Sequence, residues 1–523
     1  MPDPANVQIT CPPGFFHNGT IYQSKGRWRQ GSLVRFQQDQ IKPVGGWQMR
    51  NPAESAYVGM ARALFTWRDN SKNNWIGVGT SSHLYAQAED GTNHDITPTG
   101  YVAGRDDATR NLGYGGGFFG ESGYGSPPPA TSAFLPATVW TLDNFGENLV
   151  GVADSDGKLY QWPPVVGTSA ALVSAAPTGN VSLVVTQEGM VMVLGAGGDP
   201  SRVAWCDQQD ITDWTPTTAN QAGDFDITSN TLRCAITVRG GVLIFTDIGV
   251  WQATYLGAPL IYGFERVGQG CGVISIGGVA SRDSEAVWMG KNGAFWLFDG
   301  QTVQPLDCDV LDYLANYNLN QESKISAVHL ADQGEIWWLY PSAASVEVDS
   351  YVCWAYRESQ RLGRNIWTFG ALERTCGENR GILSTPLMVD TSGYLWEHET
   401  GVNWGGATPW IETGPFEVAQ GDFMAEVQRV VPDQVTDGQL SAEFFCRMWP
   451  NGPETLVPPI ALVSPTDLLF QATEIRTRYS GLGDWRLGNV RLDIIQGDMA
   501  DSATPLGLFV LDESALDGTD VLT

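Results

Sequence analysis

The side chains best suited to acid–base or metal chemistry in this 523-residue chain are five histidines, His17, His83, His94, His329 and His398, and they lie far apart. None falls in HExxH or a related spacing that would put two imidazoles on one helix face. A triad assembles in space, so spacing alone does not decide one. The chain has no GxSxG nucleophile elbow and no GxxxxGK[ST] phosphate loop. Eight scattered cysteines form no CxxC pair, which predicts reduced, partly buried thiols and not a zinc site or disulfide framework. Asp154 and Asp156 in DSDG have the look of a calcium-loop fragment, but the other ligands and the distal Glu are missing. An Asp-rich β-turn is the ordinary reading. Glycoside hydrolysis needs two carboxyls about 5–10 Å apart, and among 58 acidic residues the sequence singles out no pair. The expectation is no catalytic residue, no metal and no cofactor.

Charge is the next chemical signal. With 30 Lys and Arg against 58 Asp and Glu, the net charge is -28. Such a surface keeps the chain soluble and repels phosphate, which excludes ordinary nucleic-acid binding. Two basic clusters stand out against it. Arg27, Arg29 and Arg35 lie near Lys25 and Lys42, and Arg476, Arg478 and Arg486 lie in EIRTRYSGLGDWR. Each is either a solvated hairpin or an interface for an acidic partner, such as an adaptor or a neighbouring subunit.

The elements that must position these residues are β-strands. An apolar run, a Gly-, Asp-, Asn- or Ser-bearing turn and a strand with an aromatic recur along the chain. The recurring aromatics are Tyr85, Tyr160, Trp205, Trp251, Trp296, Trp354 and Trp396, at intervals of 75, 45, 46, 45, 58 and 42 residues. Four of the six intervals match the period of a four-stranded propeller blade. One unit cannot bury its aromatic face alone, and radial stacking does so while leaving few edges. The fold expected is all-β, a propeller of six to eight blades with a smaller β-sandwich-like region. The longest interval holds a Gly- and Pro-rich stretch at 111–130, including Tyr114, Phe118, Phe119 and Tyr124, and reads as a loop. The second long interval is assigned to VEVDS and to the turn around Arg361–Asn365.

Four regions follow. Residues 1–55 form an N-terminal β region for docking, 56–402 the propeller, 403–498 a sandwich-like region of longer alternating strands, and 499–523 an acidic tail. The start, MPDPANVQIT, shows no signal-peptide pattern, and no run is long enough to span a bilayer. No stable membrane insertion is expected.

Several segments, in order, resemble the tail nozzle, or packaged-DNA stabilisation, proteins of short-tailed bacteriophages. They are LGAGGDPSRVAWCDQQDITDW (194–214), AGDFDI (222–227), LIFTDIGVWQATYLGAP (243–259), VWMGKNGAFWLFDG (287–300), EIWWLYPS (335–342) and RTRYSGLGDWRLGNVRLDI (476–494). The N-terminal RWRQGSLVRF and VGGW fit the same pattern, whereas 111–130 and the tail do not. The resemblance implies a structural protein of the virion, made in the host cytoplasm. It implies a hexameric ring at the distal end of the tail, an adaptor (head-to-tail connector) partner, a fibre or spike, and genomic DNA passing through the lumen without sequence-specific contacts. On this reading 111–130 is a gate or tip loop. Two alternatives stay open. One is a propeller that binds or cleaves a host surface glycan, since SDGKLYQW also resembles a degenerate Asp-box of sialidase propellers. The other is a cellular interaction scaffold.

Overall fold

A computed structural model describes residues 5–110, 134–227, 230–418, 423–449 and 452–499. The recurring aromatic units fold into seven antiparallel four-stranded sheets. Blades 1 to 6 span 61–95, 140–172, 182–226, 232–269, 279–306 and 326–371. Blade 7 takes three strands from 374–398 and its fourth, Trp47–Met49, from the N-terminal region. The first strand of each blade lies beside that of the next, and blade 7 meets blade 1, so the ring is closed. All seven recurring aromatics lie on the third strand of their blades. The six-to-eight range thus resolves to seven.

Packing between blades explains the turn and strand chemistry. Trp140 of blade 2 leans on Gly79 of blade 1, where a Cβ would sit 2.5 Å from the indole. Its Nε1 donates to the Thr80 carbonyl at 2.8 Å. Trp67, Trp75 and Trp162 then pack edge to face across the same interface, a geometry worth about 0.5–1.5 kcal/mol per pair beyond burial. Closure works the same way at blade 7. His398 pairs with Trp47 in the ladder and stacks on its ring at 5.2 Å, and Arg50 reaches Glu397 at 2.8 Å.

The rest of the chain forms two six-stranded sheets. One runs Val34–Gln37, Gln40–Pro43, Trp485–Met499, Phe423–Thr436, Thr466–Ala472, with Ala5–Ile9 beside Trp485–Met499. The other runs Trp28–Ser32, Trp410–Thr413, Glu474–Gly481, Leu440–Arg447, Thr455–Ala461, with Phe416–Glu417 beside Glu474–Gly481. Alternating residues of Leu440–Arg447 are buried, and Phe444 meets Phe470 of the opposite sheet at 5.2 Å. This is a sandwich.

The sandwich is built from both ends of the described chain, and the propeller is inserted between Gln40–Pro43 and Trp410–Thr413. The expected 1–55 region therefore does not stand apart: its strands complete the sandwich and blade 7. Phe15 and Trp28 share one core with Trp338 and Trp367 of blade 6, which fastens the sandwich to the propeller rim. Ser32 Oγ accepts from the Ala371 amide of that blade's outer strand at 3.1 Å.

The second long interval has part of the expected origin: VEVDS falls at one of its two insertions, whereas the turn around Arg361–Asn365 lies outside it. Its extra residues are the connection 307–325, with Leu311–Leu314 and Leu319–Lys324 as short helices, and the hairpin at 341–349. Arg361–Asn365 follows Trp354 and lies at the end of the helix Tyr356–Leu362. The 111–130 loop and residues 500–523 of the acidic tail lie outside the described residues.

Candidate functional site

The N-terminal arginines lie where the sandwich meets the propeller: Arg27 just before the strand Trp28–Ser32, Arg29 on it, and Arg35 on Val34–Gln37 of the other sheet. Arg27 reaches Asp309 at 3.2 Å, lies over the Phe16 ring at 4.4 Å and is 28% exposed at its side chain. Arg29 is buried; its Nη1 donates to the Thr20 carbonyl at 3.4 Å and to Ser24 Oγ at 3.3 Å. Desolvation and the charge of Arg476 lower its pKa. Arg35 is buried between two blades. It forks onto Glu399 with both distances 2.7 Å and reaches Glu335 of blade 6 at 3.0 Å. Arg35 and Arg29 are thus internal fasteners and not an adaptor surface, because their donors are already held inside the fold.

The C-terminal arginines tell a similar story. Arg476 contacts Glu412 and holds Glu454 at 2.8 Å, and Arg478 holds Glu412 at 2.8 Å. Glu412 has a fully buried side chain. Arg478 lies over Trp410 at 4.5 Å and over Phe445 at 5.3 Å. Strand order places Trp28–Ser32 beside Trp410–Thr413 and that beside Glu474–Gly481. Two clusters separated by more than four hundred residues in sequence therefore meet around Glu412, to which Gln30 also donates at 3.1 Å. Of the six predicted arginines, Arg486 alone is an exposed residue, and it makes no ion pair with the described residues. Sequence spacing concealed this convergence, since it depends on strand order.

The propeller axis is the second place where charge gathers. Asp143 of blade 2 accepts from the Val185 amide at 2.9 Å, and burial raises its pKa to about 6. Glu378 of blade 7 is raised to about 8, by burial first and also by the charge of Asp143. Near the opposite end a cavity of about 190 Å³ is lined by Asp154, Arg233, Ser275 and Ser323. Asp154 accepts from the Val139 amide at 3.0 Å, and burial raises it to about 7. Asp156 instead takes Lys158 at 2.8 Å and contacts Tyr160. The two aspartates of DSDG serve different partners.

The connection between blades 1 and 2 reaches across this end of the ring. Lys324, whose side chain is fully buried, holds Asp107 at 2.5 Å and Glu347 at 3.2 Å. Gln321 exchanges two hydrogen bonds with the Ala108 backbone, and Ser323 accepts from the Ala137 amide. Thr109–Arg110 pairs with Phe134–Leu135. Tyr114, Phe118, Phe119 and Tyr124 lie outside the described residues.

The histidines occupy unrelated places. His398 is buried, accepts from Arg374 at 3.0 Å and has its pKa driven well down by burial and by that charge. His329 touches Tyr356 at 3.1 Å, and His83 stacks on Tyr85.

These sheets define the class: an all-β, seven-bladed propeller carried by a β-sandwich. No family model and no curated protein matches the sequence. Among solved structures the chain is similar to a streptogramin B lyase, at 7% identity and a TM-score of 0.40, covering 67% of this chain and 96% of that one. It is also similar to the propeller domain of Swd1 from Myceliophthora thermophila, at 10% identity and 0.38, covering 67% and 99%. A third is the Pan2 WD40 domain of Neurospora crassa, at 8% identity and 0.36, covering 71% and 98%. These likenesses concern architecture and carry nothing about activity.

Proposed function

We propose that this chain is a structural subunit of a short-tailed phage tail, part of the distal tube that retains the packaged genome and conducts it during ejection. The observation that carries the reading is the disposition of charge. Arg29, Arg35, Arg476 and Lys324 are held by partners inside the fold, while the chain keeps a net charge of -28. A wall that neutralises few phosphates gives a duplex few anchors, because each neutralised phosphate adds a salt-dependent binding increment. The segments that resemble nozzle proteins fall on blades 3 to 6, on the central strands of the sandwich and, for the N-terminal pair, on its end strands and the start of the Trp47–Met49 strand of blade 7. A closed propeller fastened to a sandwich by a shared core supplies a rigid wall element.

The test combines assembly and DNA binding. Mass photometry of the full chain with the adaptor of the same virus is expected to show a six-subunit ring added to the adaptor. Gel retardation at 150 mM salt is expected to show no stable complex with a 60-bp duplex. A chain that stays monomeric beside the adaptor, or that binds duplex tightly with a steep salt dependence, overturns the reading.

A further inference from the structure

The flank of the sandwich formed by Thr455–Ala461 and Thr466–Ala472 is open. Each is the last strand of its sheet, and a short connection joins the two. Core packing stops short along this flank. Ile460 and Leu468 meet the core but stay only partly buried, Leu469 is half-buried, and Leu456 and Val463 are exposed. The two edges differ in what they can accept. Thr455–Ala461 carries Pro458 and Pro459, which have no N–H to give a further strand. Thr466–Ala472 carries no proline, and among the described residues it pairs only with Phe423–Thr436. A bare edge with half-buried leucines is a pairing template, and proteins ordinarily cover one.

The chain itself supplies a cover within reach. Trp485–Met499 runs antiparallel to Phe423–Thr436, which runs antiparallel to Thr466–Ala472, so the first and the last point the same way. Met499 is level with Phe423, and Ala472 lies opposite Ala425, so these strands reach the same end of the sheet. A strand beyond Thr466–Ala472 lies three strand spacings from Trp485–Met499, about 14 Å. The six residues 500–505 follow Met499, and six residues extend to about 20 Å. Next comes LGLFVL at 506–511, uncharged and apolar throughout, with Asp512 and Glu513 ending the run. Its Phe and Val suit a strand. Direction selects the edge. A chain that turns back after Met499 runs antiparallel to Thr466–Ala472 but parallel to Ala5–Ile9, the edge on the other side of Trp485–Met499. Antiparallel pairing needs only a turn and is the more stable per residue. We propose that 506–511 docks as an antiparallel strand on the free edge of Thr466–Ala472 of the same chain, extending that sheet by one strand and covering Ile460 and Leu468. The inference is independent of the phage reading and stands or falls separately.

Amide hydrogen exchange read by mass spectrometry tests it, comparing the full chain with a chain ending at Ala500 and with the double variant Leu508→Pro, Phe509→Pro. Successive N–H groups of a strand point to opposite sides, so two adjacent prolines remove a ladder donor in either register. The amides of 466–472 are expected to exchange about tenfold slower in the full chain than in either variant. Leu440–Arg447, a central strand of the opposite sheet, is expected to exchange alike in all three and so reports that each is folded. The slow exchange at 466–472 is expected to persist on dilution. Should the shortened chain fail to fold, the double-proline variant decides. Equal exchange at 466–472 in the full chain and the folded variants overturns the proposal. So does protection that is lost on dilution, which would assign the docked segment to a second copy.

Discussion

Replacing Arg35 by Met should unfasten the sandwich from the propeller. The guanidinium bridges Glu399 at 2.7 Å and Glu335 at 3.0 Å, and the exposures of the three side chains are 8%, 14% and 3%. At about 3 Å and an effective dielectric constant near 20, each contact is worth about 5 kcal/mol of Coulomb energy. Desolvation of three buried ions offsets most of it, so the intact cluster contributes little net stability. Removing the cation alone leaves two buried carboxylates without compensation, which costs about 3–5 kcal/mol. The pH dependence follows from the sign of each shift. In the native protein Arg35 and its hydrogen bonds hold the Glu399 carboxyl below its ordinary range. That contribution is present above the unfolded pKa and is lost as pH falls through the lowered native value. In Arg35→Met both carboxyls are raised by burial, so the penalty grows above the ordinary carboxylate pKa and shrinks on acidification. Urea unfolding followed by tryptophan fluorescence reads this directly, because Trp337 Nε1 donates to Glu335 at 2.9 Å. The expected loss is about 3–5 kcal/mol at pH 7.5 and distinctly less at pH 5. Adding Glu335→Gln and Glu399→Gln should restore most of it. A loss that is the same at both pH values, or a triple variant no more stable than the single one, would refute the reasoning.

Three further outcomes are expected. Lys324→Met should cost about 3 kcal/mol, since Arg62 still holds Glu347 at 2.6 Å, and should speed protease cleavage at 105–110; an unchanged digestion pattern would count against Lys324 as the clasp. The raised carboxyl of Glu378 makes stability fall as pH climbs from the ordinary Glu value through about 8, so Glu378→Gln should flatten the melting temperature across that window, and parallel curves would exclude it as the source. A polypeptide of residues 56–402 lacks the strand Trp47–Met49 and should melt without cooperativity by circular dichroism, whereas 44–402 should melt sharply; two equally sharp transitions would show that blade 7 does not need that strand.

The third strands of the blades were the legible part of this fold. Tyr85 through Trp396 mark them because each combines a local turn with a local apolar run. Trp47–Met49 could not be read in the same way, since three residues hold no period and its partners are 347 to 351 residues away. The arginines were legible as clusters but not in their roles. Arg29 and Arg476 come together only through the order of strands around Glu412, and composition is blind to that order. Trp354 was marked as a blade aromatic; that its indole N–H has no acceptor among the described residues depends on side-chain packing that no spacing reports.

Insertion of the propeller into the sandwich sets a timetable for synthesis. The ribosome releases Trp28–Ser32 long before its partner Trp410–Thr413 appears, and Gln40–Pro43 waits longer still for Trp485–Met499. At about 5–20 residues per second the wait is roughly 20–70 s. During it the early strands have no sheet to join, and their bare edges invite pairing with other nascent chains. The ring can close as soon as blade 7 emerges, because Trp47–Met49 is already present. Completion of the sandwich is thus the last event. A ribosome that stops short of Trp485–Met499 leaves a finished propeller with an unfinished mount.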